Sequence, residues 1–108
     1  MYRNEEFSPR AATAHKEAVA AQGCIICREF LDIFTPPEIH HIRSGQGMAQ
    51  RAPDFLILPL CADHHRTGGV GVAIHAGQKA WENLYGSELY LLARVTERLT
   101  LDALRRAA

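Results

Sequence analysis

The pairs Cys24-Ile25-Ile26-Cys27 and Cys61-Ala62-Asp63-His64 constrain this chain more than any other feature. Zinc takes four tetrahedral ligands of sulfur and nitrogen type, and structural sites commonly supply them as two closely spaced pairs. Here the two pairs stand 33 residues apart and use all three cysteines. Three thiols cannot pair off completely, so a disulfide framework is a poor account of them. A thioredoxin-like redox site wants a βαβ setting, which the sequence does not offer. A two-Cys, two-His finger fails as well. Twelve residues separate Cys27 from His40, as that finger needs, but the next histidine is the adjacent His41. Neighbouring side chains cannot both ligate one ion in that geometry.

A length of 108 residues suits one domain and is too short for two. With 47% apolar and 22% charged residues, disordered and collagen-like classes are excluded. Twelve basic residues balance twelve acidic ones, so no global cationic field exists and any nucleic-acid binding must rest on a local site. No apolar run approaches the ~18 residues of a membrane span. The start, Met1-Tyr2-Arg3-Asn4-Glu5-Glu6, lacks the apolar stretch of a signal peptide. A soluble, cytoplasmic protein is expected.

Ser8-Pro9 reads as a helix start, with Ser as N-cap and Pro at the first helical position; the helix is expected over 8–22, stopped by Gly23. Thr35-Pro36-Pro37 favours an extended chain into Glu38-Ile39-His40-His41-Ile42. Residues 43–54 form a polar, Gly-containing loop, and Phe55-Leu56-Ile57-Leu58-Pro59-Leu60 is an apolar run of strand length. Two strands around a loop suggest a β-hairpin. Cys61-Ala62-Asp63-His64-His65-Arg66 then opens a helix that the glycines of 68–71 interrupt. Residues 76–85 and 87–107 carry apolar positions at helical spacing: Ala80 and Leu84, then Leu89, Leu92, Val95 and Leu99. Trp81, Leu84, Tyr85, Tyr90 and Leu91 are assigned to packing. The five cations of this tail meet four acids, so it is no basic patch.

Five of the six histidines fall between residues 40 and 75. On a strand, His40 and His41 point to opposite faces and cannot share a role. One division makes one a metal ligand and the other a base acting on water, since neutral imidazole ligates metals and titrates near neutrality. His65 lies about 100° round a helix from His64 and can face away from the zinc.

Together these residues resemble the HNH nucleases, the ββα-metal superfamily. The pattern is His40-His41-Ile42 on the first strand, Leu58-Pro59-Leu60-Cys61 leaving the second, and His64-His65 on the helix. With Cys24-x2-Cys27 and His75 added, the chain is most similar, over about residues 22–100, to phage-type recombination-enhancement nucleases associated with the RecA recombinase. The resemblance implies an α+β fold: a ββα-metal core over 24–75 stapled by structural zinc, an N-terminal helix and a helical segment over 76–107. It implies that Cys24, Cys27, Cys61 and His64 hold the zinc. His40 and His65, with His75 as a third candidate, would bind one catalytic divalent cation (Mg2+, Mn2+ or Zn2+), and His41 would be the general base. The implied substrate is DNA, with a RecA-type filament as partner, in a bacterial or phage-infected cell. The sequence departs from the family in lacking the hairpin Asn that orients the base; Asp54 is the nearest polar residue.

The chemistry suits this assignment. A divalent cation offsets charge developing on a phosphodiester in the transition state, and a metal-free imidazole takes the proton from attacking water. Arg43, Arg51 and Arg66 flank the site in sequence as candidate phosphate contacts, and Gly45 and Gly47 let the loop backbone approach a phosphate chain. The rival from another class is a non-catalytic zinc module that binds DNA or protein on the same scaffold. A zinc hydrolase of small molecules is weaker, because no apolar substrate pocket is legible.

Overall fold

The Ser8-Pro9 signal is realised as drawn from the sequence. In the computed structural model, which describes residues 8–48 and 50–108, Ser8 is extended and its Oγ accepts from the Ala11 N–H at 3.0 Å. Helix α1 runs Pro9–Ala21. Gly23 follows at φ 78°, a left-handed conformation that ends the helix and turns the chain into the Cys24 segment. A Cβ there would also collide with the Phe34 ring at 2.7 Å. The leader reading at Met1–Glu6 lies outside the described residues, as does Ala49 within the hairpin loop.

After a π-helical turn at Cys27–Leu31, the extended Pro-Pro segment leads into β1 (Glu38–His41). Strand β2 (Ile57–Leu60) pairs with it antiparallel, with Glu38 opposite Leu60 and His40 opposite Leu58. The hairpin expected from sequence is present, with shorter strands. Pairing extends one step into the loop through Ile42 N–H to the Leu56 carbonyl at 3.1 Å. All four β2 residues are buried, which explains the unbroken apolar run. Helices α1 and α3 (Glu88–Ala107) both pack on β2 and touch each other. The architecture is therefore α+β: a two-stranded sheet with helices around it.

The helix expected at Cys61 forms as one π-helical turn, Asp63–Thr67. Gly68 caps it through an N–H bond to the Asp63 carbonyl, and only glycine fits there, since a Cβ would lie 2.4 Å from Val72 and 2.6 Å from that carbonyl oxygen. A 3-10 turn at Ile74–Ala76 and helix α2 (Gln78–Tyr85) follow.

The tail departs from the sequence expectation. Trp81 and Leu91 are core and Tyr85 is half-buried, but Leu84 and Tyr90 are 61% and 55% exposed, and so is Leu89 at 58%. The buried stripe of α3 is Glu88, Leu91 and Val95. Residues 89 and 90 fall about 100° and 200° off its start, and the eight-residue α2 turns only one narrow face inward.

Candidate metal centres

Cys24 and Cys27 lie on the tight turn after α1, and Cys61 and His64 on the turn leaving β2. Folding brings the two turns together. The His64 Nδ1 lies 3.7, 3.6 and 3.2 Å from the sulfurs of Cys24, Cys27 and Cys61, and the Cys27 and Cys61 sulfurs are 3.9 Å apart. A tetrahedral zinc with ordinary bond lengths requires edges of about 3.6 Å between sulfur and nitrogen and about 3.8 Å between sulfurs. The donor set fits. The Cys27 N–H also points at the Cys24 sulfur at 3.5 Å, a donor suited to a thiolate. Burial pushes the Cys24 thiol up to about 12, so loading a cation here must displace protons. Tyr85 of α2 packs edge-on to His64, with ring centroids 5.6 Å apart.

A second group forms next to the first. His40, His65 and His75 bring one nitrogen each to within 4.8 Å of one another, a set able to hold a metal ion. Their rings meet edge-to-face, with His65 and His75 centroids 4.3 Å apart. His75 reaches the group because the glycine-rich segment folds back and the 3-10 turn at Ile74–Ala76 presents it there. Burial is the main cause holding His64, His65 and His75 below the ordinary histidine value, which favours the neutral, ligating form.

Two carboxylates that the motifs do not reveal orient these rings. Glu38 Oε1 accepts from His65 Nδ1 at 2.8 Å, and Glu88 Oε2 accepts from His40 Nε2 at 2.7 Å. An ionised carboxylate only accepts, so His40 keeps its lone pair on Nδ1 and His65 on Nε2. Glu38 is held at about 2 by Arg66 and His65. Glu88 is fully buried; burial pushes its carboxyl up, but bonds from His40, the Ser44 hydroxyl and N–H and the Arg43 N–H overcome this and hold it at about 2. Glu38 sits two residues before His40 on one strand face, so alternation could have found it. Glu88 lies 48 residues from His40 and has no local signal.

His41 stands apart from both groups. Its Nε2 lies 2.8 Å from Asp54 Oδ1 and 2.9 Å from Arg51 Nη2. Asp54, irregularly placed in the sequence, therefore reaches the ring after all, and His41 chiefly holds its carboxyl below the usual range. Lys16 of α1 lies 3.6 Å from its other oxygen. All three candidate phosphate contacts, Arg43, Arg51 and Arg66, are exposed. Arg66 is paired with Glu38 at 2.7 Å.

Sheet, turns and donor sets define a small α+β domain with two groups able to hold a metal, one of three cysteines and a histidine, the other of three histidines. The chain belongs to the DUF968 family, described as a protein of unknown function, whose family model matches residues 9–102. It is 37% identical over 82 residues to "Uncharacterized protein YdfU" of Escherichia coli strain K12, an alignment taking in 74% of this chain and 20% of that protein. The chain thus spans about a fifth of the length of that relative. No solved structure matches it. Among the described residues, no helix is long and apolar enough to cross a membrane.

Proposed function

We propose that this domain is a metal-dependent DNA endonuclease of the HNH type, built on a ββα-metal core with structural zinc at Cys24, Cys27, Cys61 and His64. His40, His65 and His75 would hold a divalent cation, and His41 would be the general base. The observation that carries the reading is the division between adjacent histidines: His40 joins the three-imidazole group, whereas His41 stays outside it, its Nε2 beside Asp54 and Arg51.

A bound cation would supply charge neutralisation at the non-bridging and leaving oxygens of the phosphodiester. His41 takes the proton from attacking water on whichever ring nitrogen is free, and Asp54 fixes the ring while that happens. Arg43, Arg51 and Arg66, all exposed, steer the phosphate chain, Arg66 from its pair with Glu38. By the same resemblance, a RecA-type filament is the proposed partner.

Plasmid nicking by the full chain with Mg2+ or Mn2+, and its loss in EDTA, tests the activity. His41→Ala is expected to abolish nicking with fold and metal content unchanged. A variant that nicks as fast as the parent removes the base assignment. DNA binding with no metal-dependent nicking by the parent favours the non-catalytic zinc module.

A further inference from the structure

One nitrogen of His41 faces two partners that want opposite things. Asp54 Oδ1 at 2.8 Å is an acceptor and needs a proton on Nε2. Arg51 Nη2 at 2.9 Å is a donor and needs the Nε2 lone pair. A guanidinium never gives up its charge, an ionised carboxylate never donates, and a ring nitrogen can serve only one of them at a time. The two contacts therefore select different tautomers of the neutral ring. Bonded to Asp54, His41 carries its proton on Nε2 and has a free lone pair on Nδ1. Bonded to Arg51, it carries the proton on Nδ1 and has no free lone pair.

We propose that Arg51 is a latch on His41 that substrate phosphate releases; this rests on His41 being the base of the preceding reading. Docked on Nε2, Arg51 uses the only lone pair of the ring, and His41 cannot accept a proton from water. Arg51 Nη2 also lies 3.4 Å from Asp54 Oδ1, and a phosphate competes with both contacts by offering a full negative charge in bidentate geometry, which a neutral imidazole and one long carboxylate contact do not match. When Arg51 leaves, Nδ1 gives its proton to water, Nε2 takes one from water, and the ring stays neutral and bonded to Asp54. Two features make the exchange feasible. The Arg51 side chain is 69% exposed and can swing without disturbing the core. Lys16, 3.6 Å from the other Asp54 oxygen, keeps that carboxylate compensated after the guanidinium departs. Arg51 is thus a positioning residue that makes the base wait for a phosphate chain.

The test reads the tautomer directly. In the zinc-loaded, 15N-labelled full chain at neutral pH, long-range proton–nitrogen correlations distinguish Nδ1–H from Nε2–H, and His41→Ala assigns the signal. The free protein is expected to show Nδ1–H at His41, and a DNA dodecamer added without the second cation should convert it to Nε2–H. Arg51→Leu should show Nε2–H with or without DNA. In kinetics, Arg51→Leu is expected to cleave bis(4-nitrophenyl) phosphate, a diester with a single phosphate, several-fold faster than the parent while its KM for plasmid rises several-fold. A merely structural role would lower both rates. An Nε2–H signal in the free parent, or a tautomer that Arg51→Leu leaves unchanged, overturns the latch even if His41→Ala is inactive. If His41→Ala nicks normally while the tautomer responds to DNA and to Arg51, the base reading falls and the latch geometry stands.

Discussion

Glu88 shows how much one side chain can organise. It is fully buried and receives hydrogen bonds from His40 Nε2, the Arg43 and Ser44 N–H groups, the Ser44 hydroxyl and Gln78. One carboxylate thus ties the first residue of α3 to an imidazole on β1 and to the start of the hairpin loop. Glu88→Gln keeps the shape but removes the charge that fixes the proton of His40. Second-site cation affinity, followed by cobalt titration, is expected to fall about 10–100-fold while zinc stays in the sulfur site. Unchanged cobalt affinity would show that Glu88 serves only the loop. The candidate ligands themselves were legible because their chemistry is carried by residue type and short spacing. Glu88 was not, because a lone acid among helix residues looks like any solvated charge. Only the docking of α3 on β2 brings it to His40.

Among the elements, the turn after β2 carries the most candidate ligands per residue. It supplies Cys61 and His64 to one group and His65 to the other, so adjacent imidazoles are aimed at different centres. Winding as a π-turn rather than a regular helix, a form frequent at functional sites, accompanies that split. The sequence foresaw the divergence from the angle between neighbours, but it did not foresee the type of turn, which depends on the packing of the 68–77 segment. Cys61→Ser is expected to lose zinc and to lower the melting temperature of the domain steeply, because binding free energy at such a site is folding free energy. The check is calorimetry with elemental analysis. An unchanged transition and zinc content would mean that the thiols pack without an ion. The helix pattern of the tail was less legible: apolar residues at 84, 89 and 90 lie on or near helical spacing, yet they face outward once α3 settles on Leu91 and Val95.

At the scale of the molecule, the halves are clasped by Glu29, which sits on the turn carrying Cys27. It accepts from Arg94 Nε at 2.7 Å and from Arg98 Nη2 at 2.5 Å, both on α3. The bond from Arg94 is the main cause holding its carboxyl below the ordinary 4.5, against the opposing effect of burial. A depressed carboxyl stabilises the fold fully above its unfolded value and loses that contribution as pH falls through the folded one. Glu29→Gln should therefore cost about 1–2 kcal/mol at neutral pH, and its deficit against the parent should shrink as the medium is acidified below about 4.5. Denaturant melts at two pH values measure this, and a constant deficit would assign the loss to packing. The adjacency of His64 and His65 has one more outcome, concerning chain length. Deleting one amino acid between Cys61 and His64 would bring His65 to the place His64 holds in the sulfur group, and inserting one would bring His64 to the place His65 holds among the imidazoles, so drift in this family should spare the spacing there.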